Sequence, residues 1–117
     1  SIVYLRTILE RITIQVAEVA GINLHRTNGR KKPFKDLLTE VDQNRSIVPQ
    51  EFSANGYRLF SELSEVVHGN YEEQIGLQKF EAFCRLVVGV LDNVRNNSEL
   101  MAAIGELGWD DEKGQSG

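Results

Sequence analysis

Apolar residues at Ile2, Leu5, Leu9, Ile12, Val16 and Val19 are spaced 3, 4, 3, 4 and 3 apart. That rhythm keeps one helical face apolar for about five turns and cannot be a strand pattern, in which the faces alternate every second residue. The chain therefore has to open with a long amphipathic helix and find something to cover its apolar side. Gly21 stands where such a helix would stop, and Asn28-Gly29 followed by Pro33 is turn chemistry, so residues 21–32 are expected to form a connection.

Helical signals continue along the chain. Pro33 suits a first helical position, and Phe34, Leu37, Leu38 and Val41 give one side of a short second helix to about Asp42. Pro49 plays the same part for a third helix reaching about His68, with a stripe of Phe52, Leu59, Leu63 and Val66 that Phe60 and Val67 widen. Gly69 then supplies a left-handed stop. Asn70 with Glu73 resembles a capping box, so a fourth helix is expected from there through Phe80, Phe83, Val87, Val90 and Val94. Between Phe80 and Leu91 it is apolar on nearly every side, which marks it as central to the core or to a subunit interface. Asn96 and Glu99 repeat the cap spacing before a last short helix with Leu100, Ile104 and Leu107. The strand-like runs Ile12-Thr13-Ile14 and Val87-Val88 lie inside longer helical periodicity, which prevails. The expected fold is all-α, a four- to five-helix bundle.

A chain of 117 residues with 41% hydrophobic and 26% charged residues suits one domain, expected over 1–109, with 110–117 as a polar flexible tail. The absence of an initiator methionine suggests the C-terminal module of something longer. Arg6, Glu10, Arg11 and Glu18 interrupt the first apolar run, so neither a membrane helix nor a signal peptide is expected. A lone Cys84 cannot form an intrachain disulfide and points to a cytoplasmic setting; its apolar neighbours make it a core residue. The net charge of -4 argues against a wholly basic binding surface, although residues 1–50 carry +3 and residues 51–117 carry -7.

Two places can carry chemistry. The run from His25 to Lys35 holds Arg26, Arg30, Lys31, Lys32 and Lys35 without an acid. It can meet phosphates of RNA or a nucleotide, or it can be a solvated, partly mobile connection. No aromatic side chains alternate with its bases, so base stacking is not indicated. His68 can work as an acid or base with Glu65 one turn earlier, or it can simply close a helix beside Gly69 and Asn70. Arg6 and Glu10 are a helical i,i+4 pair that joins a site only if Arg6 lies near His68; Glu81 and Arg85 share that spacing. His25 and His68 lack metal-ligand spacing, and the glycines form no P-loop or dinucleotide fingerprint, so neither a metal nor a cofactor is expected.

The segments Tyr4-Leu5-Arg6-Thr7-Ile8-Leu9-Glu10, Phe34-Lys35-Asp36-Leu37-Leu38 and Val67-His68-Gly69-Asn70, followed by a long apolar helix, resemble the HEPN superfamily over most of residues 2–95. The similarity is to prokaryotic branches with a Leu-Arg-x-x-Leu-Glu-like first helix and a later helix ending in His-Gly or His-Pro. It implies a helical bundle that commonly dimerises. In active members it also implies metal-independent RNA cleavage by an Arg, four to six intervening residues, and a His at the dimer interface. His68 matches the histidine, but Ser61, Glu62 and Leu63 occupy the arginine positions. Arg58, the nearest upstream arginine, is ten residues from His68 and would lie roughly 80° away around a continuous helix. The missing guanidinium would have held the scissile phosphate and its developing charge. The leading expectation is thus a non-catalytic HEPN-like domain that acts by association, either as a homodimer through its apolar fourth helix or as a module of a larger protein, with weak RNA or nucleotide binding as a further option. The alternative is a metal-independent ribonuclease in which His68 is the general acid or base and Arg58, Arg6 or the loop from Arg30 to Lys35 binds the phosphate.

Overall fold

The computed structural model describes residues 2–67 and 76–108, the side chains of Ile2 and Glu65 excepted. Its elements are α1 (Ile2–Ala20), α2 (Phe34–Arg45), α3 (Gln50–Glu62), α4 (Ser64–Val67), α5 (Leu77–Arg95) and α6 (Ser98–Glu106). The protein is all-helical among the described residues, with a single isolated β-bridge between His25 and Lys31.

The opening periodicity does what its spacing demands. Leu9 and Val16 are fully buried, while Leu5, Ile12 and Val19 pack on the core from partly exposed positions. Thr13 shares the buried face at no polar cost, because its hydroxyl donates to the Leu9 carbonyl at 2.7 Å. Gly21, at φ 72°, ends α1 in a Schellman arrangement: its N–H reaches the Glu18 carbonyl, and the Ile22 N–H reaches that of Ala17 at 2.9 Å. α1 then packs on α2, α5 and α6, and it also touches α4. Phe83, Leu86, Val87, Val90 and Val94 give α5 its buried side, and Leu100 and Ile104 do the same for α6.

Several local expectations are corrected by the backbone. Pro33 and Pro49 precede their helices with extended ψ values of 143° and 145°, so each is an N-cap and not a first helical residue. The second helix runs three residues beyond Asp42, to Arg45. The last helix is capped by Asn97, whose side chain accepts from the Leu100 N–H at 2.9 Å; Asn96 instead closes α5. The proposed Asn70–Glu73 cap lies outside the described residues, and the described part of that helix starts after an extended Gly76.

The third helix is not continuous. Asn55, Gly56 and Tyr57 have φ of 53°, 67° and 65°, one left-handed turn inside α3, and Leu63 separates α3 from α4. A tyrosine at positive φ is strained and needs outside support. Here the Tyr57 hydroxyl donates to Asp42 Oδ2 at 2.7 Å, and its ring meets Phe60 edge-on at 6.2 Å. Asp42 is 7% exposed, and its other oxygen accepts from the Val48 N–H at 2.7 Å. Ser46, left-handed at φ 52°, returns its N–H to the Asp42 carbonyl, and Asn93 Nδ2 on α5 donates to the Ile47 carbonyl at 2.9 Å. The short α2–α3 connection is thus fastened to α2, α3 and α5 by side chains.

This knot makes an alkaline prediction. Burial, the hydrogen bond to Asp42 and the nearby Asp42 charge push the Tyr57 phenol up to about 12. The folded state therefore holds the proton more tightly than the unfolded chain. Its contribution is complete below pH 10, the ordinary tyrosine value, and is lost as pH rises through about 12. Stability of the wild type should fall more steeply than that of Tyr57→Phe over this window, measured by urea unfolding at successive pH values. Parallel curves would refute the coupling.

Candidate functional site

The basic connection is a hairpin and not a loose strap. The Gly29 N–H closes a turn on the Arg26 carbonyl at 2.9 Å, Gly29 takes φ 85°, and the Arg26 N–H meets the Arg30 carbonyl at 2.7 Å. That is a three-residue turn with glycine at its left-handed position. Asn28 Oδ1 accepts from the Arg30 N–H, and the Lys32 N–H pairs with the Leu24 carbonyl at 3.0 Å. These bonds give the connection a defined register, which single-sequence turn signals do not reveal.

Its charges are also partly spent. Arg26 pairs with Asp36 at 3.0 Å, and Lys32 pairs with Glu40 at 2.7 Å. Arg30, Lys31 and Lys35 have no ion-pair partner among the described residues. Behind the hairpin, a hollow of about 210 Å³ opens between α1 and α2. Ile14, Leu24, Phe34 and Leu37 form its apolar lining, while Arg6, Glu10, Lys31 and Lys32 bring charge to it. The apolar members were missed in the sequence, although Leu24 directly precedes the basic run and Phe34 lies near its end.

Arg6 links this hollow to the end of α4. Its Nε donates to the Val67 carbonyl at 2.9 Å, one amino group pairs with Glu10 at 3.0 Å, and the guanidinium lies 5.6 Å from the Phe34 ring centre. The side chain is only 19% exposed, so these contacts hold a charged group against the apolar wall. Val67 directly precedes His68 in the chain. His68, Gly69 and Asn70 themselves lie outside the described residues, as does the side chain of Glu65 on α4.

Arg58 stands elsewhere. Its side chain is 79% exposed and approaches Glu62 at 3.9 Å along α3. The angle expected between Arg58 and His68 assumed an unbroken helix, and the break at Leu63 removes that phase relation. The arginine that reaches the backbone leading to His68 is therefore Arg6.

The outward face of α5 forms a separate feature. Leu77 and Val88 are 70% and 54% exposed, and Cys84 and Leu91 are partly exposed along the same side. Cys84 is thus not fully in the core as expected: helix rotation places it at an open hollow with Pro49, Val88 and Gly89. Arg85 pairs across that hollow with Glu51 at 3.5 Å. Among the described residues no three His, Cys, Asp or Glu side chains gather as a metal-binding group, and no helix is long and apolar enough to cross a membrane.

Compared with family models, curated proteins and solved structures, the chain matches none.

Proposed function

We propose that this is a HEPN-like helical domain that works by association, pairing two copies through the outward face of α5. The observation supporting this reading is the exposed apolar pair Leu77 and Val88, with the partly exposed Cys84 between them, on a helix whose opposite side already fills the core. Such a two-sided apolar helix is costly in a lone subunit and useful in an isologous dimer, where each copy covers the other's strip. Ser61, Glu62 and Leu63 in place of the arginine support association over cleavage. The domain should be dimeric at tens of micromolar in size-exclusion chromatography with light scattering. Val88→Glu should weaken the dimer at least ~100-fold by burying an unpaired carboxylate in the apolar strip of each copy, while leaving the monomer's helical signal intact. A monomeric wild type at that concentration would overturn the proposal.

A metal-independent ribonuclease is the second reading, favoured by Arg6 at the Val67 carbonyl. On this reading the guanidinium missing from α3 is supplied from α1, binds the scissile phosphate, and leaves proton transfer to His68. Incubation with mixed RNA in chelator decides it. Cleavage that disappears in both His68→Ala and Arg6→Ala supports the nuclease; equal traces from wild type and both variants end it.

A further inference from the structure

The hollow behind the hairpin lies on α1 and α2, away from the outer face of α5, and its chemistry does not depend on how copies associate. We infer that it is a binding site for a small organic monoanion with an apolar body, of the aromatic or branched-chain carboxylate class.

Size comes first. At about 210 Å³ the cavity is smaller than the ~300–1,000 Å³ common for drug-sized ligands, so it admits one ring or a short branched chain. Its wall has the right polarity for that body. Ile14, Leu24 and Phe34 are incompletely buried and pack on the core from behind, leaving apolar surface facing the hollow.

Charge balance selects the head group. Arg6 is matched by Glu10 and Lys32 by Glu40, which leaves Lys31 as the one cation of the rim without an ion pair among the described residues. A carboxylate completes that balance, whereas a dianion would be left with one charge unmatched and facing Glu10. Arg6 also keeps donors in hand. A guanidinium has five N–H groups, and the Val67 carbonyl and Glu10 engage two of them. The remaining donors and the Lys31 ammonium approach the same hollow from α1 and from the hairpin.

The rim is built in advance. The Lys32 N–H to Leu24 carbonyl bond and the His25–Lys31 bridge fix the hairpin, while Val67, Glu10 and Phe34 fix Arg6. The hairpin backbone and Arg6 have little conformational freedom left to lose on binding, and the exposed Lys31 side chain is the part that must be ordered.

Titration of ¹⁵N-labelled protein with phenylacetate at pH 7, followed by amide NMR, tests the site. The amides of Leu24, Lys31, Lys32 and Phe34 should shift saturably. The dissociation constant should be at least about tenfold lower than that for acetate, which carries the head alone, or benzyl alcohol, which carries the body alone. Lys31→Gln, an exposed change that leaves the hairpin bonds in place, should raise it about tenfold. Equal affinity for acetate and phenylacetate, shifts scattered over the surface, or an unaffected Lys31→Gln variant would overturn the inference. Tighter binding of phenyl phosphate than of phenylacetate would overturn the assignment to a monoanion.

Discussion

Asp42→Ala should lower the stability of the folded chain by roughly 3 kcal/mol, because hydrogen bonds to a charged group are worth about 1.5–3 kcal/mol each and two are lost. The Val48 N–H and the Tyr57 hydroxyl are both donors, at 2.7 Å from different oxygens of the same carboxylate. Val48 is 6% exposed, so its N–H cannot readily turn to water when the acceptor goes. At about 4 °C per kcal/mol for a domain of this size, the melting temperature should fall by roughly 12 °C. Asp42→Asn is the informative companion. An amide has one oxygen to offer, and its NH2 would face a second donor, so the substitution should recover less than half of the loss. Tyr57→Phe removes one of these bonds and should cost about 1.5 kcal/mol. If Asp42→Asn melts with the wild type, the carboxylate is not acting as a double acceptor and this account of the knot is wrong.

Gly89→Val should cost about 3 kcal/mol, and even Gly89→Ala should destabilise, against the usual helical preference. In an open helix interior, alanine in place of glycine gains about 1 kcal/mol. At this position the added Cβ would overlap the Pro49 ring, and overfilling a packed contact costs about 1–3 kcal/mol. The ring cannot step aside cheaply. It caps α3, and the residues before it are tied to Asp42 and Asn93. Alanine should therefore come out roughly 1 kcal/mol less stable in denaturant unfolding, with valine worse. Gln78→Ala, at an exposed position near the start of the same helix and outside the proposed pairing face, should stay within about 0.5 kcal/mol and serves as the control. A Gly89→Ala protein more stable than wild type would mean that the Pro49 contact yields.

The all-helical character and the buried faces of α1, α5 and α6 were readable because apolar spacing reports directly on which side of a helix meets the core. Leu9, Val16, Phe83, Val90 and Ile104 fall where the periodicity places them. The broken third helix was not readable in the same way. Its stripe from Phe52 to Val66 has good helical spacing, and only Asn55-Gly56 hinted at the left-handed turn that Tyr57 extends. Tyr57 holds that conformation through a partner fifteen residues earlier, a tertiary cause with no local signature. Asp42 did leave a trace: it sits four residues after Leu38, on the apolar side of α2, where an acid needs internal donors. The hollow behind the hairpin escaped notice because it joins residues from α1, the hairpin and α2, a proximity created by folding. The link from Arg6 to the Val67 carbonyl spans 61 positions and was legible only as the conditional it was given.

The hairpin's internal pairing changes how a polyanion would experience it. Five cations in the primary sequence become three available ones once Arg26 and Lys32 are engaged by Asp36 and Glu40. Each occupied backbone phosphate of a single strand displaces about 0.7 of a condensed counterion, so a strand gripped here would release about two ions rather than the three to four that five free cations suggest. Its hold would fade only gently between dilute buffer and cellular ionic strength, and the hairpin would be a shallow electrostatic trap.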